Sequence, residues 1–349
     1  MDAKQLLEVL KKERTLSKEE FVFLLEHREE VREEATTFAR KLGDQYYGTS
    51  VYPRGLVEFT NYCKNNCYYC GIRGANTNIN RYRLTKEEIL QSCKTGYDLG
   101  YRSLVLQGGE DPYYTIELLE DIISTIRNTY KDCAITLSMG EMDYNSYKRL
   151  FDAGADRYLL RHETANDELY KKLHPERMSL AHRKQCLYDL KEIGYCIGTG
   201  FMVGAPYQTM EHLAEDLLFI KELDPHMVGI GPFIPHHDTR FKDEPAGTVE
   251  LTTFLMSLIR IMKPNVLLPS TTALGTISPT GREQGILAGG NVLMPNLSPV
   301  VVRKDYQLYD NKICTGEEAA ECFGCLGRRM DRIGYHLDFC RGDYKEMHL

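Results

Sequence analysis

The chain has 349 residues, 42% hydrophobic and 27% charged, enough for one large core or two ordinary ones. Lys and Arg number 43 against 50 Asp and Glu, a formal net charge of −7, so the basic footprint of a nucleic-acid binder is missing. No apolar run spans a bilayer; Phe254 to Met262 is short and interrupted by Arg260. The first residues mix Asp2, Lys4, Glu8 and Lys11 with leucines and do not read as a signal peptide, so a cytoplasmic location is expected. In a reducing compartment the 11 cysteines point to core positions, metal ligands or catalytic groups rather than disulfides.

Residues 1–50 read as helical. Leu16-Ser17-Lys18-Glu19-Glu20-Phe21 is a capping box with a staple: Ser17 caps, Glu20 returns the bond and Leu16 meets Phe21. From about Tyr52 short apolar runs alternate with amphipathic stretches. The predicted strands are Gly55–Thr60, Ser103–Gln107, Ala134–Met139, Arg157–His162, Cys196–Val203, Met227–Phe233, Val266–Ala273 and Asn291–Met294. Helical patterns fall near 85–100, 115–130, 143–154, 180–194, 209–223, 249–262 and 281–288. This α/β alternation predicts a (β/α)8 TIM-type barrel over 51–300, with an N-terminal helical segment (1–50) packed on it. An open doubly wound sheet is the structural alternative. Residues 301–349 form a C-terminal tail with weaker periodicity.

Cys63, Cys67 and Cys70 directly follow the first predicted strand, where a barrel presents its catalytic face. Three thiolates so spaced can hold three irons of a cubane and leave the fourth open to a chelating ligand. Structural zinc wants four protein ligands, and no fourth Cys or His lies close. The next strand ends Gln107-Gly108-Gly109-Glu110-Asp111, whose glycines permit close approach to a ligand. In the strand that begins at Arg157, alternation turns Arg161 and Glu163 to one side and His162 to the other. Arg161 with Glu163 reads as an anion clamp, or as a buried structural ion pair. Arg183, on a helix, reads by itself as solvated. His236 and His237 are adjacent, so an extended chain would point them apart and a surface loop is favoured over a metal site. In the tail, Cys314, Cys322 and Cys325, with Cys340 as a further candidate, suit an auxiliary iron–sulfur cluster or a zinc knot, or are incidental. Cys93, Cys133, Cys186 and Cys196 read as small core residues.

The C-x3-C-x-Tyr-C spacing of Cys63, Cys67, Tyr69 and Cys70 resembles the radical S-adenosylmethionine (SAM) superfamily. Longer strings resemble its HydE family of FeFe-hydrogenase maturation enzymes. These are Asp156-Arg-Tyr-Leu-Leu-Arg161-His-Glu163-Thr-Ala-Asn166, Gly229-Ile-Gly-Pro-Phe233-Ile-Pro-His236 and Thr271-Thr272-Ala-Leu-Gly-Thr276. The resemblance implies a 4Fe-4S cluster on Cys63, Cys67 and Cys70, with SAM bound at its open iron. It implies SAM contacts from Tyr69, Gly108, Gly109, Glu110, Glu163, Arg183, Met202, Phe233 and Met294. It implies a substrate pocket lined by Gln107, Thr136, Arg161, Thr271 and Thr272, and a second, variable iron–sulfur cluster on Cys314, Cys322 and Cys325. It further implies reductive SAM cleavage, attack of the 5′-deoxyadenosyl radical on a cysteine-bound iron carbonyl/cyanide precursor, partner maturases HydG and HydF, and a low-potential electron donor. A methylornithine synthase-like mutase acting on lysine and a non-catalytic iron–sulfur carrier are the competing readings.

Overall fold

The computed structural model describes residues 1–316 and 319–346, with the side chains of 319–323 left aside. Three helices open the chain: α1 (Ala3–Glu13), α2 (Lys18–Glu26) and α3 (Arg32–Tyr47). Ser17 and Glu20 close the expected capping box on α2, and Asp2 with Gln5 closes one on α1. Leu16 and Phe21 are both buried in one core with Ala35 and Ala39 of α3.

The chain then alternates. Strands β1 (Ser50–Pro53) and β2 (Gly55–Thr60) lead to α4 (Lys86–Asp98), β3 (Ser103–Gly108), α5 (Ile116–Thr129), β4 (Ala134–Ser138) and α6 (Tyr144–Asp152). Next come β5 (Arg157–Leu159), α7 (Asp167–Leu173), α8 (Leu180–Ile193), β6 (Cys196–Thr199), β7 (Met202–Val203) and α9 (Met210–Leu223). Then follow β8 (Met227–Val228), β9 (Gly231–Pro232), α10 (Val249–Met262), α11 (Thr272–Ile277), α12 (Gly281–Leu287) and β10 (Val292–Leu293). The tail carries α13 (Val300–Arg303), α14 (Ala319–Arg332) and β11 (His336–Leu337).

Six parallel strands run in the order β2-β3-β4-β5-β6-β8. Single bridges complete the ring: Met227 to Leu267, Pro269 to Val292, and Asn296 back to Leu56. The closing bonds are full ones, Leu56 N–H to Pro295 O at 2.9 Å and Leu297 N–H to Leu56 O at 2.7 Å. The fold is therefore the expected closed barrel. The predicted strand Val266–Ala273 is reduced to bridges, because the chain turns into α11 at Thr271, its N-cap position, and Thr272 is already helical. The predicted strands at Cys196–Val203 and Met227–Phe233 are each split in two, and β7 pairs with β9 above the main sheet.

Alternation explains the packing. On β4, Ile135 and Leu137 face the helices and join Ile122, Ile123 and Ile126 of α5 in one core. Fully burying such a side chain contributes about 1.5–3 kcal/mol. Thr136 faces the barrel lumen instead. The tail straps the opposite end: β11 pairs with β1, and Asp343 meets Arg157 at 2.7 Å. Among the described residues no helix is long and apolar enough to cross a membrane.

Candidate active site

The cysteine loop leaves β2 at the barrel mouth and is tied down by its own chain. Arg81 donates to the carbonyls of Asn61, Ile72, Arg73 and Asn76, at 2.9 Å for Ile72 and Asn76. Asn61 donates to the carbonyls of Asn80 and Asp305, both at 2.7 Å. Burial raises the pKa of all three thiols, Cys70 to about 12. Thiolates here need a positive partner, which a metal supplies. The three sulfurs do not all come within 4.8 Å of one another, whereas thiolates on one zinc stand about 3.8 Å apart. They fit ligands to separate irons better than ligands to one ion.

The loop Gly108–Asp111 lies against this segment. A Cβ at Gly109 would stand 2.1 Å from the Tyr62 carbonyl, so glycine serves contact with the cysteine loop, not only with a ligand. Asp111 holds the loop end: Arg83 binds it through two nitrogens at 2.7 and 2.9 Å, and Thr60 donates at 2.8 Å. Against burial, those bonds keep its carboxyl below the usual range. Glu110 Oε1 accepts from Glu141 N–H at 3.1 Å. Gly140, at φ +83°, leaves the space Glu110 fills; a Cβ there would lie 2.2 Å from Oε1.

Arg161 and Glu163 do share a side, with Nη2 and Oε2 3.0 Å apart. His162 turns away into a buried site, 2.8 Å from Thr199 Oγ1 and 3.2 Å from Asp216. Glu163 sits at φ +67°, a left-handed conformation costly for this residue, so its carboxylate is held toward the mouth by its surroundings. Ala165 N–H, bonded to Asp216 at 2.5 Å, is part of that hold. Arg183 is buried, not solvated: it donates to Glu141 at 2.5 Å and to the Arg161 carbonyl at 2.6 Å. A helix position alone cannot reveal that burial.

Five side chains at this mouth carry buried polar atoms with no hydrogen-bond partner: Glu110 Oε2, Thr136 Oγ1, Arg161 Nε and Nη2, Glu163 Oε2 and Thr271 Oγ1. The Arg161–Glu163 approach is close but not aligned as a hydrogen bond. Buried polar groups are normally satisfied, so this set is built for a polar ligand.

Residues 57–220 match the radical SAM superfamily model. The HydE maturase subunit of FeFe hydrogenase from Thermotoga maritima is 47% identical over 298 residues, covering 84% of this chain and 85% of that protein. The chain belongs to the HydE family of radical SAM enzymes. The crystal structure of methylornithine synthase superposes with TM-score 0.77 at 27% identity, covering 96% and 93% of the two chains. A crystal structure of HydG, a maturase of the FeFe hydrogenase, gives TM-score 0.81 at 22% identity, covering 97% and 76%. That last likeness speaks for the fold.

A radical SAM enzyme implies a 4Fe-4S cluster and SAM, and the HydE-family site fits both. The separated thiols suit the cluster, and the unmatched carboxylates and guanidinium suit a zwitterion. Tyr69 has its hydroxyl bonded to His174 at 3.1 Å, so its ring is pinned. Met202 and Phe233 pack with Tyr68 and Tyr69 in one apolar patch. Met294 lies elsewhere, inside the barrel with Met227, Leu267 and Val292. Gln107 donates to Tyr306 Oη at 3.4 Å, and Thr272 Oγ1 accepts from Arg282 at 3.4 Å.

Sequence reasoning missed the lumenal network of Glu58, Lys312 and Asn296, joined at 2.6 and 2.7 Å. The signal was a lone Glu among apolar residues of β2. Arg54 is also missed; its Nε and Nη2 are buried and unpartnered. The His236–His237 expectation is corrected. Their rings stack at 4.3 Å and, with Asp310, bring three ligand atoms within 4.8 Å of one another, because the chain turns there. Asp238 N–H points at His236 Nδ1 at 3.1 Å, and the buried His236 Nε2 has no hydrogen-bond partner.

In the tail, Cys314 Sγ accepts from Arg282 at 3.4 Å, which places it one side chain from Thr272 at the mouth. Cys325 is exposed on α14, and the Arg329 guanidinium feels both Cys314 and Cys325. The Cys322 side chain lies outside the described residues. Cys340 sits beneath the opposite barrel end near Tyr52 and Gly342, so it is not a fourth tail ligand.

Proposed function

We propose that this enzyme reductively cleaves SAM at a 4Fe-4S cluster on Cys63, Cys67 and Cys70. It then uses the 5′-deoxyadenosyl radical on a cysteine-bound iron carbonyl/cyanide precursor during assembly of the FeFe-hydrogenase di-iron subcluster. The observation that carries this reading is the set of unmatched buried polar atoms facing the mouth beside the cysteine loop. Bound there, cluster and SAM supply one-electron cleavage of a sulfonium bond to give a carbon radical.

The chain's own residues bind and orient. Glu110 and Glu163 take the SAM ammonium and ribose hydroxyls, and Arg183, charged and braced by Glu141, takes the carboxylate. The Tyr69 backbone and the patch of Met202 and Phe233 take the adenine. Arg161, with hydroxyls of Thr136 and Thr271, offers fixed donors to an anionic, cyanide-bearing substrate. HydG and HydF are the partner maturases on this reading, and an external donor supplies the electron.

The test is a maturation assay with HydG, HydF and apo-hydrogenase, beside quantitation of 5′-deoxyadenosine. Hydrogenase activation together with SAM cleavage is expected. Methylornithine formed from lysine would move the chain to the sister activity, and SAM left intact by the reduced, cluster-loaded protein would leave only an iron–sulfur carrier.

A further inference from the structure

We propose that Tyr170 is a further binding residue of the SAM site: its phenol O–H donates to the amino-acid carboxylate of SAM, beside the Arg183 guanidinium. The inference rests on the radical SAM reading above and adds a residue to it. Burial is its first support. Tyr170 lies on α7 and is fully buried, yet its hydroxyl has no hydrogen-bond partner. A buried phenol normally finds one, because its lost hydration is otherwise uncompensated. Other buried tyrosines of this barrel follow that rule. Tyr114 donates to the Leu84 carbonyl at 2.6 Å, Tyr158 to the Gly140 carbonyl at 2.8 Å and Tyr195 to the Tyr147 carbonyl at 2.9 Å. Among the described residues no other tyrosine has a buried hydroxyl without a partner.

The ring is held where it is. It stacks on His174, with centroids 3.9 Å apart and planes 19° apart. His174 is itself fixed at both nitrogens. Its Nδ1 is 3.0 Å from the Tyr170 carbonyl, which only accepts, so Nδ1 carries the proton. The bare Nε2 then accepts from the Tyr69 hydroxyl at 3.1 Å. Tyr69 stands between Cys67 and Cys70, so this stack is built onto the cysteine loop. Tyr170 also packs with Met178, whose sulfur lies 3.9 Å from Cys67 Sγ.

The surroundings select the ligand. The ionisable groups that act on Tyr170 are Arg183, Glu141, Cys67 and Glu163. Arg183 commits Nε to Glu141 and Nη1 to the Arg161 carbonyl, and among the described residues its Nη2 makes no hydrogen bond. Burial pushes the Tyr170 phenol above its ordinary value, so it keeps its proton and is a donor at neutral pH. Two donors, one of them charged, beside a cysteine of the first cluster suit an anion that also reaches the open iron. The SAM carboxylate is such a group. The SAM ammonium is itself a donor, and the apolar patch of Met202 and Phe233 suits the adenine. A hydrogen bond to an ionised carboxylate is about twice as strong as a neutral one.

The experiment compares Tyr170→Phe with the unmodified, cluster-loaded enzyme and with Tyr195→Phe, whose lost hydroxyl is a bonded one in the core outside the site. Two ligands are titrated: S-adenosylhomocysteine, which keeps the carboxylate, and 5′-methylthioadenosine, which lacks the amino-acid portion. Tyr170→Phe should raise Kd for S-adenosylhomocysteine about tenfold and hold that for 5′-methylthioadenosine within about twofold. Tyr195→Phe should change neither. Stability gives a second readout. Without ligand, Tyr170→Phe removes an unmet hydroxyl, so its urea midpoint should equal or exceed that of the unmodified enzyme, whereas Tyr195→Phe should lower it. An unchanged S-adenosylhomocysteine Kd in Tyr170→Phe, an equal loss for both ligands, or a lowered urea midpoint would overturn the role of Tyr170. Failure of the unmodified, cluster-loaded protein to bind either ligand would instead overturn the radical SAM reading.

Discussion

The two cysteine segments have similar motifs and different surroundings. Cys63, Cys67 and Cys70 lie on a loop pinned by the four-carbonyl grip of Arg81, beside carboxylates and a guanidinium that are ion-paired yet keep buried polar atoms without a hydrogen bond. Cys314 and Cys325 lie among satisfied groups: Arg329 is paired with Glu283 at 2.5 Å, and Cys325 is open to solvent. Thiol spacing marks both as candidate clusters, but among the described residues only the first is joined to polar valences awaiting a ligand. The difference teaches that a catalytic cluster is recognised by the unmet bonds around it, and a spare one by their absence.

That contrast can be broken most forcefully at the substrate clamp. Arg161→Leu should keep the first cluster and hold SAM within about tenfold of normal affinity, yet fail to support hydrogenase activation. Removing one buried charged contact costs roughly 2–5 kcal/mol. Normal activation by this variant would remove Arg161 from the substrate pocket. Next in size, Arg81→Met should loosen the first loop by about 3 kcal/mol, since its charge-assisted bonds to carbonyls are lost together. Iron loss to a chelator should then be at least tenfold faster from the first cluster, with the tail unaffected; equal loss from both would erase the distinction.

Acid should also separate the two segments. Burial depresses His174 to about 3, so the folded protein holds it neutral under Tyr69. Its contribution is complete above the unfolded value near 6.5 and is lost as pH falls toward 3. At pH 5 the unmodified protein should be about 2 kcal/mol less stable relative to its His174→Gln variant than at pH 8. Denaturant titrations at the two pH values measure this, and parallel behaviour of the two proteins would contradict it. The smallest effect belongs to the tail. Cys322→Ala with Cys325→Ala should lower iron content but leave 5′-deoxyadenosine formation within about twofold. Complete loss in a folded, first-cluster-replete variant would make the tail catalytic, a route that the Arg282 contact between Cys314 and Thr272 leaves physically open.

The barrel was legible because alternation and period are local properties. Helices such as α9 and α10 begin and end within a residue or so of the pattern that predicts them. The first cysteine loop was legible because its spacing is short and chemically specific. What a linear reading could not give is convergence. Gly140 looks like a turn until Glu110 fills its missing side chain. Arg183 looks solvated until Glu141 and the Arg161 carbonyl surround it. His236 and His237 look opposed until a turn stacks them. Lys312 is a tail lysine in sequence and the partner of the lumenal Glu58 in space. The break at Val266–Ala273 was hidden because Thr271, written as a strand end, stands at the N-cap position of α11 without a side-chain cap bond.

The central claim is that Cys63, Cys67 and Cys70 hold the cluster that opens SAM. Its most direct test is anaerobic reconstitution followed by dithionite and SAM, for the unmodified chain and for the variant with all three cysteines changed to alanine. The unmodified chain should bind about four irons at this site and release 5′-deoxyadenosine, and the variant should release none. Undiminished 5′-deoxyadenosine from the triple variant would contradict the account.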